Sequence, residues 1–335
     1  MTRTGLRRTK IASLATHVPP KLLTNKDLER MVDTSDEWIL QRTGIRERHI
    51  VDPGVATSDL AKEAALKAIA QAGLTPADID FIVVGTTTPD TIFPSTACMV
   101  QEKIAAPHAW GFDLGAACSG FTYAVTTAVH MVAAGTHKHA LAIGADVMSS
   151  IIDYTDRSTC VLFGDGAGAV VISAAGEDGF GIIDFENEID GSGGPALCMP
   201  AGGSLRPATH ETVDQRLHYV KQDGQAVFKF AVRKTEEICG RIMDRNKITA
   251  KDVDLFVSHQ ANRRIIMSAA ERLGLDQEKV VINIERYGNT TAATIPLALQ
   301  DAVSDGRLKK GDLVLLTSVG AGFTVGSILL RWGLK

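Results

Sequence analysis

"GLTPADIDFIVVG" (73–85) and "KITAKDVDLFVSH" (247–259) carry one pattern twice, at a shift of 174 positions (73 to 247). Thr75, Asp78 and Asp80 fall on Thr249, Asp252 and Asp254, while Ile79, Phe81 and Val83 fall on Val253, Leu255 and Val257. Within a residue or two of that shift, "GAACSGFTYAV" (115–125) falls on "GNTTAATIPLA" (288–298), and "HALAIGA" (139–145) on "DLVLLTS" (312–318). A shift common to three segments argues for an internal duplication. The chain therefore reads as two similar halves, residues 1–176 and 177–335. Ligand sites gather where domains meet. The repeat thus places the loop of Cys118 in one half opposite "SHQAN" (258–262) or "YGNTT" (287–291) in the other.

Outward from the repeat, helical and extended patterns alternate, which is the signature of a layered α/β protein. Short apolar runs at 81–87, 139–145, 168–174, 254–260, 279–284 and 313–319 read as strands; several are β-branched, as strands buried on both faces should be. The stretch 58–73 has helical spacing, with Leu60, Ala61, Ala64, Ala65, Ala68, Ile69 and Ala72 on one face. Ser58 is the expected N-cap and Gly73 the expected stop.

Composition narrows the function classes. The 335 residues are 45% hydrophobic and 22% charged, with net charge -4 and no block of like charge, so bulk electrostatics give no reason to expect nucleic-acid binding. Five cysteines, an odd number without CxxC spacing, argue against a disulfide framework or a zinc site and for a reducing, cytoplasmic setting. The basic N-terminal stretch 1–10 runs into His17 and two prolines and does not read as a signal peptide. Residues 114–137 lack Asp, Glu, Lys and Arg, but their Gly, Ala, Ser and Thr content and His130 favour a buried core helix over a membrane span.

Three residues offer chemistry. Cys118 sits among Gly115, Ala116, Ala117, Ser119 and Gly120 at the expected start of a helix, where free N–H groups favour a thiolate. His259 follows an apolar strand, at the strand end where α/β folds bind ligands. Asn289 lies in a loop that opens another helix. A thiol and two polar donors suit thioester chemistry, in which the thiol takes an acyl group and the donors steady an enolate. The glycine-rich "FGDGAGAVVIS" and "SVGAGFTVG" supply neither G-x-G-x-x-G nor G-x-x-x-x-G-K-[ST], which argues against a nucleotide-cofactor oxidoreductase. A backbone N–H of "SVGAGF" is a candidate oxyanion donor near Cys118.

With "VDTSDEWILQRTGIRERHI" (32–50), "GTTTPDTIFPSTA", "GAACSGFTYA", "DRSTCVLFGDGAGAVV" (156–171), "SHQANRRI" and "RYGNTTAATIP" in this order, nearly the whole chain resembles the β-ketoacyl-acyl carrier protein synthase III family. That resemblance implies a thiolase fold, two duplicated α/β halves layered α-β-α-β-α, in agreement with the repeat. It implies condensation of a short acyl-CoA with malonyl-acyl carrier protein in a cytoplasmic homodimer, with coenzyme A thioester as a substrate and no further cofactor or metal. A relative with the same triad but an unusual starter remains the alternative. Catalytic roles would fall on Cys118, His259 and Asn289, and oxyanion donation on the backbone of Cys118 and Ala321. The family has glycine where Ala321 stands, so the second donor requires a backbone conformation compatible with a Cβ. Coenzyme A recognition maps onto Thr34, Trp38, Arg42, Arg157, Gly224 and Asn262, with Trp38 and Arg157 flanking the adenine. Phe93 would reach across the dimer interface and limit the acyl pocket. Carrier docking would use Lys229, Arg233, Arg263, Arg264 and Arg272; a position often basic in relatives is Glu271 here.

Overall fold

The computed structural model describes residues 7–177 and 179–334. Most of the expected strands form, packed into two sheets. β1 (Thr9–His17), β2 (Phe81–Gly85), β3 (Trp110–Leu114), β4 (His139–Asp146) and β5 (Gly166–Ala174) make the first, in the order β1-β5-β4-β2-β3. β6 (Gly181–Ile189), β7 (Leu255–Ser258), β8 (Leu313–Gly320) and β9 (Thr324–Arg331) make the second, in the order β6-β9-β8-β7. Strand directions match as well. β4 runs parallel to β2 as β8 does to β7, and the other two pairings of each set of four are antiparallel.

Six helices complete the frame: α1 (Asp36–Thr43), α2 (Thr57–Gln71), α3 (Gly120–Ala133), α4 (Gly224–Asn246), α5 (Arg263–Arg272) and α6 (Thr294–Ser304). Side chains alternate along a strand, and β2 uses both faces. Phe81 and Val83 join Phe121, Val125, Ile295 and Leu299 in a core around α3 and α6, between the sheets. Ile82 and Val84 pack on the other side against Leu60, Ala64 and Ala68 of α2. Beyond the second sheet, Ile238 and Ile242 of α4 and Ile266 of α5 cover Phe256 and Leu315. The result is the layered α-β-α-β-α arrangement.

The repeated phrase makes the same turn twice. Thr75 donates its N–H and hydroxyl to Asp78 at 2.8 and 2.7 Å, and Thr249 does so to Asp252 at 2.8 and 2.7 Å. Glycines let α3 and α6 seat deeply. A Cβ on Gly85 would lie 2.4 Å from the Gly120 carbonyl carbon, and one on Gly144 would lie 2.4 Å from the Ala292 oxygen.

Two local expectations are corrected. The run 279–284 does not form a strand; Val280 makes a single parallel bridge to Phe256 where the first half has all of β3 beside β2. A short turn (Gln277–Lys279) and a short helix (Ile284–Tyr287) leave few residues extended. The Gln260 carboxamide then takes over the ladder, donating to Val281 O at 3.1 Å and accepting from Asn283 N at 3.1 Å. Ser58 is not the cap of α2. Ala56 is, and Ser58 sits in the first turn, where its N–H and hydroxyl bond Asp90. Gly73 does end that helix in a left-handed turn (φ 70°), and Leu74 N returns to Ile69 O at 3.1 Å. Within the expected membrane-length stretch only Gly120–Ala133 is α-helical. Among the described residues no helix is long and apolar enough to cross a membrane.

Candidate active site

β3 delivers the chain to a 3₁₀ turn (Ala117–Ser119) that runs into α3, with Cys118 at its centre. Ala117 takes a left-handed conformation (φ 46°), which costs a residue bearing a Cβ roughly 1–2 kcal/mol. The second half holds the loop in that shape. The Thr324 hydroxyl donates to Ala116 O at 2.7 Å, and Thr324 O accepts from the Ser119 hydroxyl at 3.1 Å. Gly320 brings its backbone so close that a Cβ there would meet Cys118 N at 2.7 Å.

His259 stands just beyond the C-terminal end of β7, buried, its N–H bonded to Thr317 O at 2.8 Å. Its Nδ1 lies 2.7 Å from the Thr294 hydroxyl, which also reaches Thr291 O at 3.0 Å. When that hydroxyl gives its proton to Nδ1, the neutral ring carries its own proton on Nε2. Burial holds the imidazole pKa down at about 3, so the ring is uncharged at neutral pH.

Asn289 is fixed along its backbone by Leu162 O, at 2.8 Å from its N–H, and by Gly164 N, at 3.1 Å from its carbonyl. Its Oδ1 accepts from Thr291 N at 2.9 Å, so Nδ2 is left as the donor. Cys118, His259 and Asn289 line one cavity of about 200 Å³. The loops of the two halves therefore meet as the repeat predicts.

Cys118 also lines a second cavity of about 130 Å³, with Met148, Phe163, Leu197, Val220 and Ala321 among its walls. One chamber at Cys118 carries polar side chains, Arg42, His259, Asn262 and Asn289 among them, and the other is lined mostly by apolar ones. The expectation of a thiolate at the helix start is corrected. Burial, and then the carboxylate of Asp146, push the Cys118 thiol up to about 12, so the resting residue is a thiol. The backbone N–H contribution is the smaller one.

Ala321 is not among the non-glycine residues with positive φ; Gly322 takes the unusual conformation (φ 136°) instead. A Cβ at 321 is thus compatible with the local backbone. Of the residues expected to recognise coenzyme A, Arg42, Gly224 and Asn262 line the larger cavity. Thr34 lies just before α1 and Trp38 on it, and the Arg157 guanidinium sits over the Trp38 ring at 5.1 Å, with Arg42 at 5.9 Å. Asn262 already caps α5 through Arg264 N at 2.8 Å and donates to Arg42 O at 2.9 Å. Its side chain therefore positions Arg42. Phe93 lines neither cavity of its own chain; it is 84% exposed beside Ile92.

The basic residues divide in two. Arg233 pairs with Glu237 at 2.8 Å and Arg272 with Glu236 at 2.9 Å. Lys229, Arg263 and Arg264 have no ion pair among the described residues, and Arg264 stacks on Phe228 at 5.6 Å. Among those residues no group of His, Cys, Asp and Glu is placed to hold a metal ion.

Sequence reasoning missed Asp146, Thr291 and Thr294, which surround the triad. One signal for Asp146 was legible: it is the lone carboxylate of the otherwise apolar run "HALAIGAD" (139–146).

Comparison with known proteins fits this geometry. Residues 112–191 match the family model for 3-oxoacyl-[acyl-carrier-protein] synthase III, and residues 243–332 match that for its C-terminal part. The chain is 62% identical over 327 residues to a β-ketoacyl-[acyl-carrier-protein] synthase III of Solibacter usitatus, covering 97% of this chain and 99% of the relative. It is 58% identical over 331 residues to one of Koribacter versatilis, covering 98% and 99%. The crystal structure of the Aquifex aeolicus 3-oxoacyl-[acyl-carrier-protein] synthase III superposes with TM-score 0.89 at 43% identity, covering 97% of this chain and 100% of that one. A duplicated α/β frame with a cysteine, a histidine and an asparagine on one cavity thus has full-length counterparts at high identity, and the chain belongs to the β-ketoacyl-[acyl-carrier-protein] synthase III family of acyltransferases.

Proposed function

We propose that the chain starts fatty acid synthesis by condensing a short acyl-CoA, acetyl-CoA foremost, with malonyl-acyl carrier protein. The observation that carries this reading is the pair of cavities meeting at the Cys118 sulfur, the larger one shared with His259 and Asn289. In the first step the Cys118 sulfur attacks the acyl-CoA carbonyl. The thioester bond to coenzyme A breaks, and the thiol proton ends on the departing coenzyme A sulfur. In the second step malonyl-carrier protein loses CO2, and its thioester oxygen becomes an enolate that accepts from His259 Nε2–H and Asn289 Nδ2–H. A neutral donor suits this role, because it stays a donor without titrating at neutral pH. The enolate carbon then attacks the acyl-Cys118 carbonyl. The backbone N–H groups of Cys118 and Ala321 serve the oxyanion, Cys118 leaves as thiolate and is reprotonated, and 3-oxoacyl-carrier protein departs.

The apolar cavity sets the starter. Its walls of Met148, Phe163, Leu197 and Val220 would receive an uncharged acyl chain. Arg42, Gly224 and Asn262 on the wall, with Trp38, Arg157 and Thr34 beside it, would receive coenzyme A; an adenine stacking on Trp38 would share that ring with the Arg157 guanidinium. An acidic carrier protein would meet the unpaired Lys229, Arg263 and Arg264 first, with Arg233 and Arg272 exchanging an internal carboxylate for an external one. A homodimer in the cytoplasm completes the reading. The outer edge of β3 and the exposed Ile92 and Phe93 supply an apolar face for the second copy, and there Phe93 would close the partner's acyl cavity.

The test is turnover of a panel of acyl-CoA starters with malonyl-carrier protein. Acetyl and propionyl should lead, with a steep fall for long chains. A dicarboxylic or long starter turning over faster than acetyl would transfer the enzyme to specialised acyl chemistry.

A further inference from the structure

The carboxylate of Asp146 is buried at the end of β4, beside the active site, with no cation in ion-pair distance among the described residues. Seven donors reach it instead. Oδ1 accepts from the Thr86 hydroxyl at 3.1 Å, Thr87 N at 2.7 Å, the Thr87 hydroxyl at 3.0 Å, Thr88 N at 3.2 Å and the Thr88 hydroxyl at 3.0 Å. Oδ2 accepts from the Thr291 hydroxyl, and from Ala292 N at 3.2 Å. The threonines at 86–88 belong to the first half and Thr291 to the second, so one carboxylate joins the halves.

Thr291 is the residue through which this joint reaches the chemistry. It holds a left-handed conformation (φ 48°), 174 positions after Ala117 (φ 46°), at the start of the equivalent 3₁₀ turn. Its N–H donates to Asn289 Oδ1 at 2.9 Å, while its C=O lies 3.0 Å from the Thr294 hydroxyl oxygen, whose one proton is committed to His259 Nδ1, 2.7 Å away, when Nε2 carries the donor. Its hydroxyl is the end anchored on Asp146. We infer that Thr291, anchored by Asp146, is a positioning residue that sets the Asn289 enolate donor, turning Asn289 Nδ2 toward the same enolate oxygen that His259 Nε2 serves. This rests on the proposed condensation and assigns a role to residues outside the triad. Acylation of Cys118 does not use those two donors, so the device acts on the second half-reaction.

Three variants test it: Thr291→Val, which keeps shape and backbone but removes the anchor; Thr291→Ser, which keeps the hydroxyl; and Asp146→Asn. In the last, the carboxamide oxygen can satisfy the Thr86–Thr88 donors only by turning its NH2 toward Thr291 and Ala292. Each is assayed for acetyl transfer from labelled acetyl-CoA to Cys118 and, separately, for condensation with malonyl-carrier protein, alongside thermal unfolding. Thr291→Val should acylate within about three-fold of wild type and Asp146→Asn at least as fast as wild type, since the charge opposing the Cys118 thiolate is gone, while both condense about 10²-fold more slowly with KM for acetyl-CoA unchanged. Thr291→Ser should recover condensation to within a few-fold. The inference is overturned if Thr291→Val condenses at the wild-type rate, if acylation and condensation fall together, or if Thr291→Ser, folded as the wild type is, condenses no better than Thr291→Val. A wild-type protein that acylates but never condenses would instead overturn the proposed function.

Discussion

Cys118 carries a proton at rest because it is buried and faces Asp146, and both effects oppose a thiolate more strongly than the helix start favours one. Its reaction with iodoacetamide should therefore keep accelerating past pH 9; peptide mapping of the Cys118 rate across pH checks this. A Cys118 profile that levels off below pH 8 would contradict it. His259 makes the opposite kind of prediction. Its folded pKa is depressed by burial, so the unfolded chain binds the extra proton as pH falls below about 6.5. Stability owed to the neutral ring is complete above that pH and is lost on going down toward about 3. Urea titrations should show a weaker acid dependence over that window in His259→Asn than in wild type. The proposed oxyanion role of Ala321 uses its backbone N–H, and its backbone conformation accommodates the Cβ. Ala321→Gly should leave condensation within about three-fold, while Ala321→Pro removes the donor and should cost roughly 10²–10³ in kcat. Equal rates in the two variants would remove Ala321 from the oxyanion site.

At the scale of elements, the site depends on how deeply α3 and α6 press on the first sheet. Gly144 packs against the 3₁₀ turn that leads into α6, so Gly144→Ala forces Ala292 outward and should destabilise by roughly 1–3 kcal/mol, read as a lower urea midpoint at unchanged slope. The same level shows what the sequence could convey. Strand periodicity, the repeat and the helix at 57–71 were legible because burial leaves an unbroken apolar mark, and the triad residues were legible because His259 ends such a run while Cys118 and Asn289 stand where helices open. The failed strand at 279–284 was not. Its composition suits a strand, but a turn and a short helix leave few of its residues extended, and the Gln260 side chain, some twenty positions away in sequence, takes their backbone bonds. Thr291 and Asp146 escaped notice for a related reason. A threonine beside a turn and an aspartate closing a strand are common, and only the fold shows that they bond each other across the two halves.

For the whole molecule, duplication explains the location of the site. Each half alone offers a 3₁₀ turn beginning on a left-handed residue, and a single cavity with all three polar groups exists only where the two turns meet. The remaining apolar surface beside β3 is what the proposed homodimer would cover; sedimentation of Phe93→Asp should show a shift from dimer toward monomer. The central claim is that Cys118 carries the acyl group while His259 and Asn289 act after it. The most direct measurement is labelled acetyl transfer from acetyl-CoA, followed by addition of malonyl-carrier protein, in wild type, Cys118→Ala, His259→Ala and Asn289→Ala. The account predicts label on the Cys118 peptide in all but Cys118→Ala, and release of that label as 3-oxoacyl-carrier protein in wild type alone. Label retained by Cys118→Ala, or condensation at the normal rate by either of the other two variants, would contradict it.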